Sequence, residues 1–69
     1  MRYFLRLNKE ERCCLYDIMI IDRYTMGSFA MANEYIGAID YEYDLLTRET
    51  VHEFDDHELY TKWMLLLKQ

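Results

Sequence analysis

Ile39-Asp40-Tyr41-Glu42-Tyr43-Asp44-Leu45 is the stretch on which the fold turns. Apolar or aromatic side chains at 39, 41, 43 and 45 alternate with carboxylates at 40, 42 and 44. Taken alone, that alternation describes a half-buried strand. A longer pattern competes with it. Phe29, Ala32, Ile36, Ile39, Tyr43 and Leu46 recur at steps of three and four, a heptad-like seam that suits one continuous helix. The longer pattern absorbs Ile39 and Tyr43 as well, so the helix is the favoured reading. Ala30, Gly37 and Ala38 are small enough to let a second helix approach, although Gly37 costs such a helix about 1 kcal/mol against alanine.

Upstream, Ser28 suits the N-cap of that helix, and Gly27 suits the stop of the one before it, with a break over Thr25 to Ser28. The preceding helix spans Leu7 to Tyr24. Asn8 followed by Glu11 forms a capping-box pattern, and Glu10 and Glu11 lie at the positive end of the helix dipole. Cys13, Cys14, Leu15, Tyr16, Ile18, Met19, Ile20 and Ile21 make it apolar nearly all round, which implies burial from more than one side. A buried strand over Tyr16 to Ile21 is the rival. Before it, Tyr3, Leu5 and Leu7 alternate with Arg2, Phe4 and Arg6, so residues 1–7 read as an extended arm, a strand, or an earlier helix start.

Downstream, residues 47–54 read as a connection. Asp55 suits the N-cap of a third helix, with Glu58 completing a capping box and Phe54 and Leu59 placed as a hydrophobic staple. Leu59, Trp63, Leu66 and Leu67 form its apolar face, and Met64 and Leu65 spill beyond it. The expected fold is therefore all-α: a small three-helix bundle, residues 1–69 forming a single domain.

Sixty-nine residues bury only a modest core, so a partner subunit or very good packing is expected. A 52% hydrophobic share with no proline excludes a disordered chain. Adjacent Cys13 and Cys14 close no useful loop and read as buried thiols in a reducing compartment. No secretory leader is expected, since Arg2 and Arg6 flank no long apolar run, and no stretch is apolar enough to span a bilayer. A cytoplasmic location follows.

The net charge of −5 is unevenly spread: residues 24–58 hold nine acids against one base, Arg48. Direct binding of nucleic acid is disfavoured, since bases must meet its phosphates. His52, Glu53, Asp55, Asp56, His57 and Glu58 crowd together, yet two histidines five apart leave the common face of a helix, so no metal is assigned. Ser28 is the only serine and already serves as a cap, and Cys13 or Cys14 paired with His52 or His57 is a weak nucleophile arrangement. No enzyme, cofactor or small-molecule substrate is expected.

Seven tyrosines exceed what a core this size hides, and tyrosine and tryptophan favour interfaces. The leading expectation is a protein-binding module (an adaptor, regulator or inhibitor) that self-associates as a homodimer. Tyr35, Tyr41, Tyr43, Tyr60, Trp63, Met64 and Leu65 are its candidate contacts. The alternative is an acidic mimic of nucleic acid, presenting Glu34, Asp40, Glu42, Asp44, Glu53 and Asp56 to a DNA- or RNA-binding protein. Short acidic inhibitors of phage and mobile elements offer an analogy of size and charge.

Overall fold

The computed structural model of the chain describes residues 1–20 and 27–68. Elements follow the order β1 (Tyr3–Leu7), α1 (Lys9–Met19), α2 (Ser28–Ile36), β2 (Asp40–Asp44), β3 (Glu49–Phe54) and α3 (His57–Leu67). The strands form an antiparallel sheet in the order β1-β3-β2. The fold is thus α+β, which corrects the all-α, helical-bundle expectation.

Two places overturn that expectation. The helix carrying Phe29, Ala32 and Ile36 stops at Gly37, which takes a left-handed φ of 79° as C-cap. That left-handed backbone favours glycine, and a Cβ there would also meet Leu59 Cδ1 at 2.8 Å, so the leucine side chain would have to give way. Beyond it the alternation at 40–44 takes over as β2, and the heptad-like seam does not continue. The second place is the supposed connection at 47–54, most of which is β3, the central strand. It gives β1 its partner, Leu5 facing His52 and Leu7 facing Thr50, so the extended reading of residues 1–7 is the one that holds.

α1 begins where expected. Asn8 accepts from the Glu11 amide at 2.9 Å, and Glu11 returns the bond to the Asn8 amide at 2.8 Å. It ends earlier than the sequence suggests, at Met19, with Ile20 left-handed as C-cap. The expected continuation to Tyr24 and the break beginning at Thr25 fall outside the described residues. Ser28 does not cap α2. Gly27 occupies the cap without a side-chain bond, while Ser28 Oγ lies 3.5 Å from the Tyr16 hydroxyl. Asp56, not Asp55, caps α3, accepting from Glu58 at 2.9 Å and Leu59 at 3.3 Å. β3 ends at Phe54, and Asp55 lies between the strand and the cap.

The core gathers Leu5, Leu7, Leu15, Tyr16, Ala32, Ile36, Phe54, Trp63 and Leu67. Side chains alternate across a strand, so Leu5, Leu7, Thr50, His52 and Phe54 share one sheet face, and register puts Tyr41 and Tyr43 there too. The apolar positions on the helices converge on this face. Nothing among the described residues covers the opposite one.

Candidate functional site

The uncovered face is built from the other half of each strand. Arg2, Phe4 and Arg6 come from the β1 segment, Glu49, Val51 and Glu53 from β3, and Asp40, Glu42 and Asp44 from β2. Phe4 is 59% exposed and Val51 is half-buried in the middle strand. Five carboxylates surround this small apolar centre. Arg2 meets Glu53 at 3.0 Å and Arg6 meets Glu49 at 3.2 Å. Asp40, Glu42 and Asp44 have no ion-pair partner among the described residues, so negative charge accumulates along the β2 side.

The β2 carboxylates are held differently from one another. Asp40 Oδ1 accepts from the Tyr41 amide at 2.8 Å. Asp44 Oδ1 accepts from Leu46 at 2.9 Å and Thr47 at 3.3 Å, closing an Asx turn into the hairpin. Those amide bonds, Leu46 first, hold the Asp44 carboxyl below its ordinary pKa. Glu42 makes no such bond and projects between them. Two shallow depressions mark this surface. One of about 340 Å³ is lined by Arg6, Glu42, Tyr43, Asp44, Leu45 and Val51, and one of about 60 Å³ by Phe4, Asp40, Tyr41, Glu42, Val51 and Glu53. They share Glu42 and Val51. Both are open, the geometry of a docking surface more than of an enclosed ligand pocket.

The inner side of β2 belongs to the packing. Tyr43 stacks on Phe29 at 4.9 Å, and the buried Arg12 guanidinium lies 5.5 Å from each ring. Arg12 Nη1 donates to the Arg48 carbonyl at 3.0 Å, fixing the hairpin turn to α1. His52, 1% exposed, lies 2.9 Å through Nδ1 from Asn33 Oδ1, and Asn33 Nδ2 donates to the Ala38 carbonyl. Burial first, and the Arg12 charge second, push the His52 pKa down to about 4. It is a neutral core residue, while His57 stands exposed at the start of α3 with Tyr3 at 5.1 Å. The two histidines therefore do not converge. No group of three or more metal-ligating side chains is assembled among the described residues.

The structure separates the residues singled out in the sequence. Asp40, Glu42, Asp44 and Glu53 come together on the open face. Glu34 lies on α2 beside Met19, Met31 and Tyr35, and Asp56 is spent as a cap. Of the aromatic set, Trp63 is only 6% exposed, with Tyr35 against it at 5.8 Å, and Tyr60 stacks on Tyr3 at 5.4 Å. Met64 packs against the core, whereas Leu65 and Leu66 stay exposed. Cys13 is half-buried and Cys14 exposed, both as free thiols, which corrects the expectation of two buried cysteines. Phe4, Val51 and Glu49 escaped the sequence reading. Phe4 had appeared only as part of the alternation of residues 1–7, and the signal for Glu49 and Val51 was the alternation of residues 49–54, muted because its buried positions include polar Thr50 and His52.

Among the described residues no helix is long and apolar enough to cross a membrane. Compared with known proteins, the chain matches no family model, no curated protein and no solved structure.

Proposed function

We propose that the protein is a small interaction module that binds a basic protein surface through the uncovered face of its sheet, without a catalytic step. One observation carries the reading: the bare face combines an apolar centre, Phe4 and Val51, with a surround of five carboxylates, three of them free of ion pairs among the described residues. An apolar centre inside a charged rim is the usual anatomy of a protein contact. The excess negative charge would steer a cationic partner toward it. The reading includes a cytoplasmic setting, in which Cys13 and Cys14 would stay reduced.

The nucleic-acid mimic is the second reading, and the spacing of β2 favours it. Asp40, Glu42 and Asp44 share one face two residues apart, so their carboxylates recur at intervals of about 6.6 Å along a line. Affinity capture from the native host separates the readings. The wild-type chain is compared with the Asp40→Asn, Glu42→Gln, Asp44→Asn triple variant, and with a Leu65→Gln, Leu66→Gln control on α3. The expected result is a partner lost from the triple variant and kept by the control. Equal recovery by all three chains rejects the acidic face. A partner that free DNA or RNA displaces assigns the mimic.

A further inference from the structure

We infer that β2 is a docking edge, and that it accepts as a fourth strand an extended segment of the partner in which lysine or arginine alternates with apolar residues. The inference rests on the acidic-face reading and specifies how that face is engaged. β2 pairs only with β3, so among the described residues its other edge carries unpaired backbone groups. A segment added there must alternate its side chains in step with β2. Those on the outer face come beside Asp40, Glu42 and Asp44, where opposite charges across strands are favourable. Those on the inner face come beside Tyr41 and Tyr43. Tyr41 is 39% exposed and offers aromatic area at the rim of the core layer.

Charge also narrows the occupant. Two copies of β2 placed edge to edge would set carboxylates against carboxylates, which is destabilising. The β1 segment of a second copy has the right alternation, but its Arg2 and Arg6 already meet Glu53 and Glu49 of their own sheet. A foreign basic segment meets neither obstacle. The Tyr41 amide is meanwhile held by the Asp40 carboxylate at 2.8 Å, which satisfies the donor while the edge is free. The carboxylates that deter self-pairing thus select the complementary strand.

The test uses the full chain and a short acetylated peptide alternating valine with lysine. Two further peptides carry N-methyl groups on every valine amide or on every lysine amide. In an added strand successive amides point to opposite sides, so only one methylated peptide is blocked. The expected result is binding by the parent, slowed amide exchange within Asp40–Asp44, and retention of binding by only one methylated peptide. The Asp40→Asn, Glu42→Gln, Asp44→Asn variant should bind the parent about tenfold more weakly. Glu42→Gln alone, which touches no bond of the fold, should give a smaller loss in the same direction. If both methylated peptides bind like the parent while the triple variant still weakens it, strand addition is overturned and the acidic face stands. If the triple variant binds the parent undiminished, both fall. Failure of the parent to bind overturns strand addition, as does protection of Asp40–Asp44 by concentration-dependent self-association of the chain without peptide.

Discussion

The two faces of the same sheet obey opposite rules. On the inner face Leu5, Leu7, Thr50, His52 and Phe54 are closed off from water and fixed by their neighbours. On the outer face Arg2, Arg6 and five carboxylates remain in solvent, around the small apolar patch of Phe4 and Val51. One backbone carries both, because a strand turns successive side chains to opposite sides. Stability should therefore be concentrated on one face and recognition on the other.

The largest test removes a core ring. Phe54→Ala should cost about 3–5 kcal/mol, most of the stability available to so small a domain. Phe4→Ala, one strand away on the other face, should change the urea midpoint by the equivalent of about 1 kcal/mol or less. Comparable losses at both positions would break the contrast.

His52 sharpens it through pH. Its folded pKa, about 4, lies below the ordinary histidine value of 6.5, so the unfolded chain takes up the proton first as pH falls. Its contribution is intact above pH 6.5, declines between 6.5 and 4, and declines no further below 4. The full loss is about 3 kcal/mol. Urea midpoints at several pH values should show this slope in the wild type and lose it in His52→Gln. An identical slope in the variant would assign the pH dependence to the carboxylates instead.

The seat of α3 on the inner face gives a smaller effect. Asp56→Ala should cost about 0.5–2 kcal/mol through the lost cap, and Asp55→Ala close to nothing. The reverse order, measured by denaturation, would move the helix start back by one residue. The smallest effect belongs to the open face. Neutralising Asp40 and Glu42 together should leave thermal stability within about 0.5 kcal/mol of wild type. A large loss would mean that these carboxylates hold the fold and are not free to meet a partner.

Part of this division was legible in the chain. The Asn8–Glu11 capping box needs only local backbone geometry, and it is present in full. The alternation in residues 1–7 and 39–45 left two strands open, the first against an earlier helix start, the second outweighed by a helical seam sharing Ile39 and Tyr43. Residues 49–54 were hidden because Thr50 and His52 look polar in sequence and become interior only once Asn33 reaches the imidazole and both neighbouring strands close on β3. The acidic residues of the open face were visible as a composition, but their common face was not, since Glu49 and Glu53 join β2 only through register. The shift of the α3 cap from Asp55 to Asp56 was equally hidden, because either aspartate caps well locally.

The sequence by itself determined the start of α1, the alternation within residues 1–7 and 39–45, and the acidic middle of the chain. Each rests on interactions within a few residues. The tertiary structure alone decided that residues 49–54 form the central strand and that the three helices share one side. Strand pairing is a long-range choice. β1 and β3 are joined across more than forty residues of chain, and no local propensity records which strand will complete which sheet.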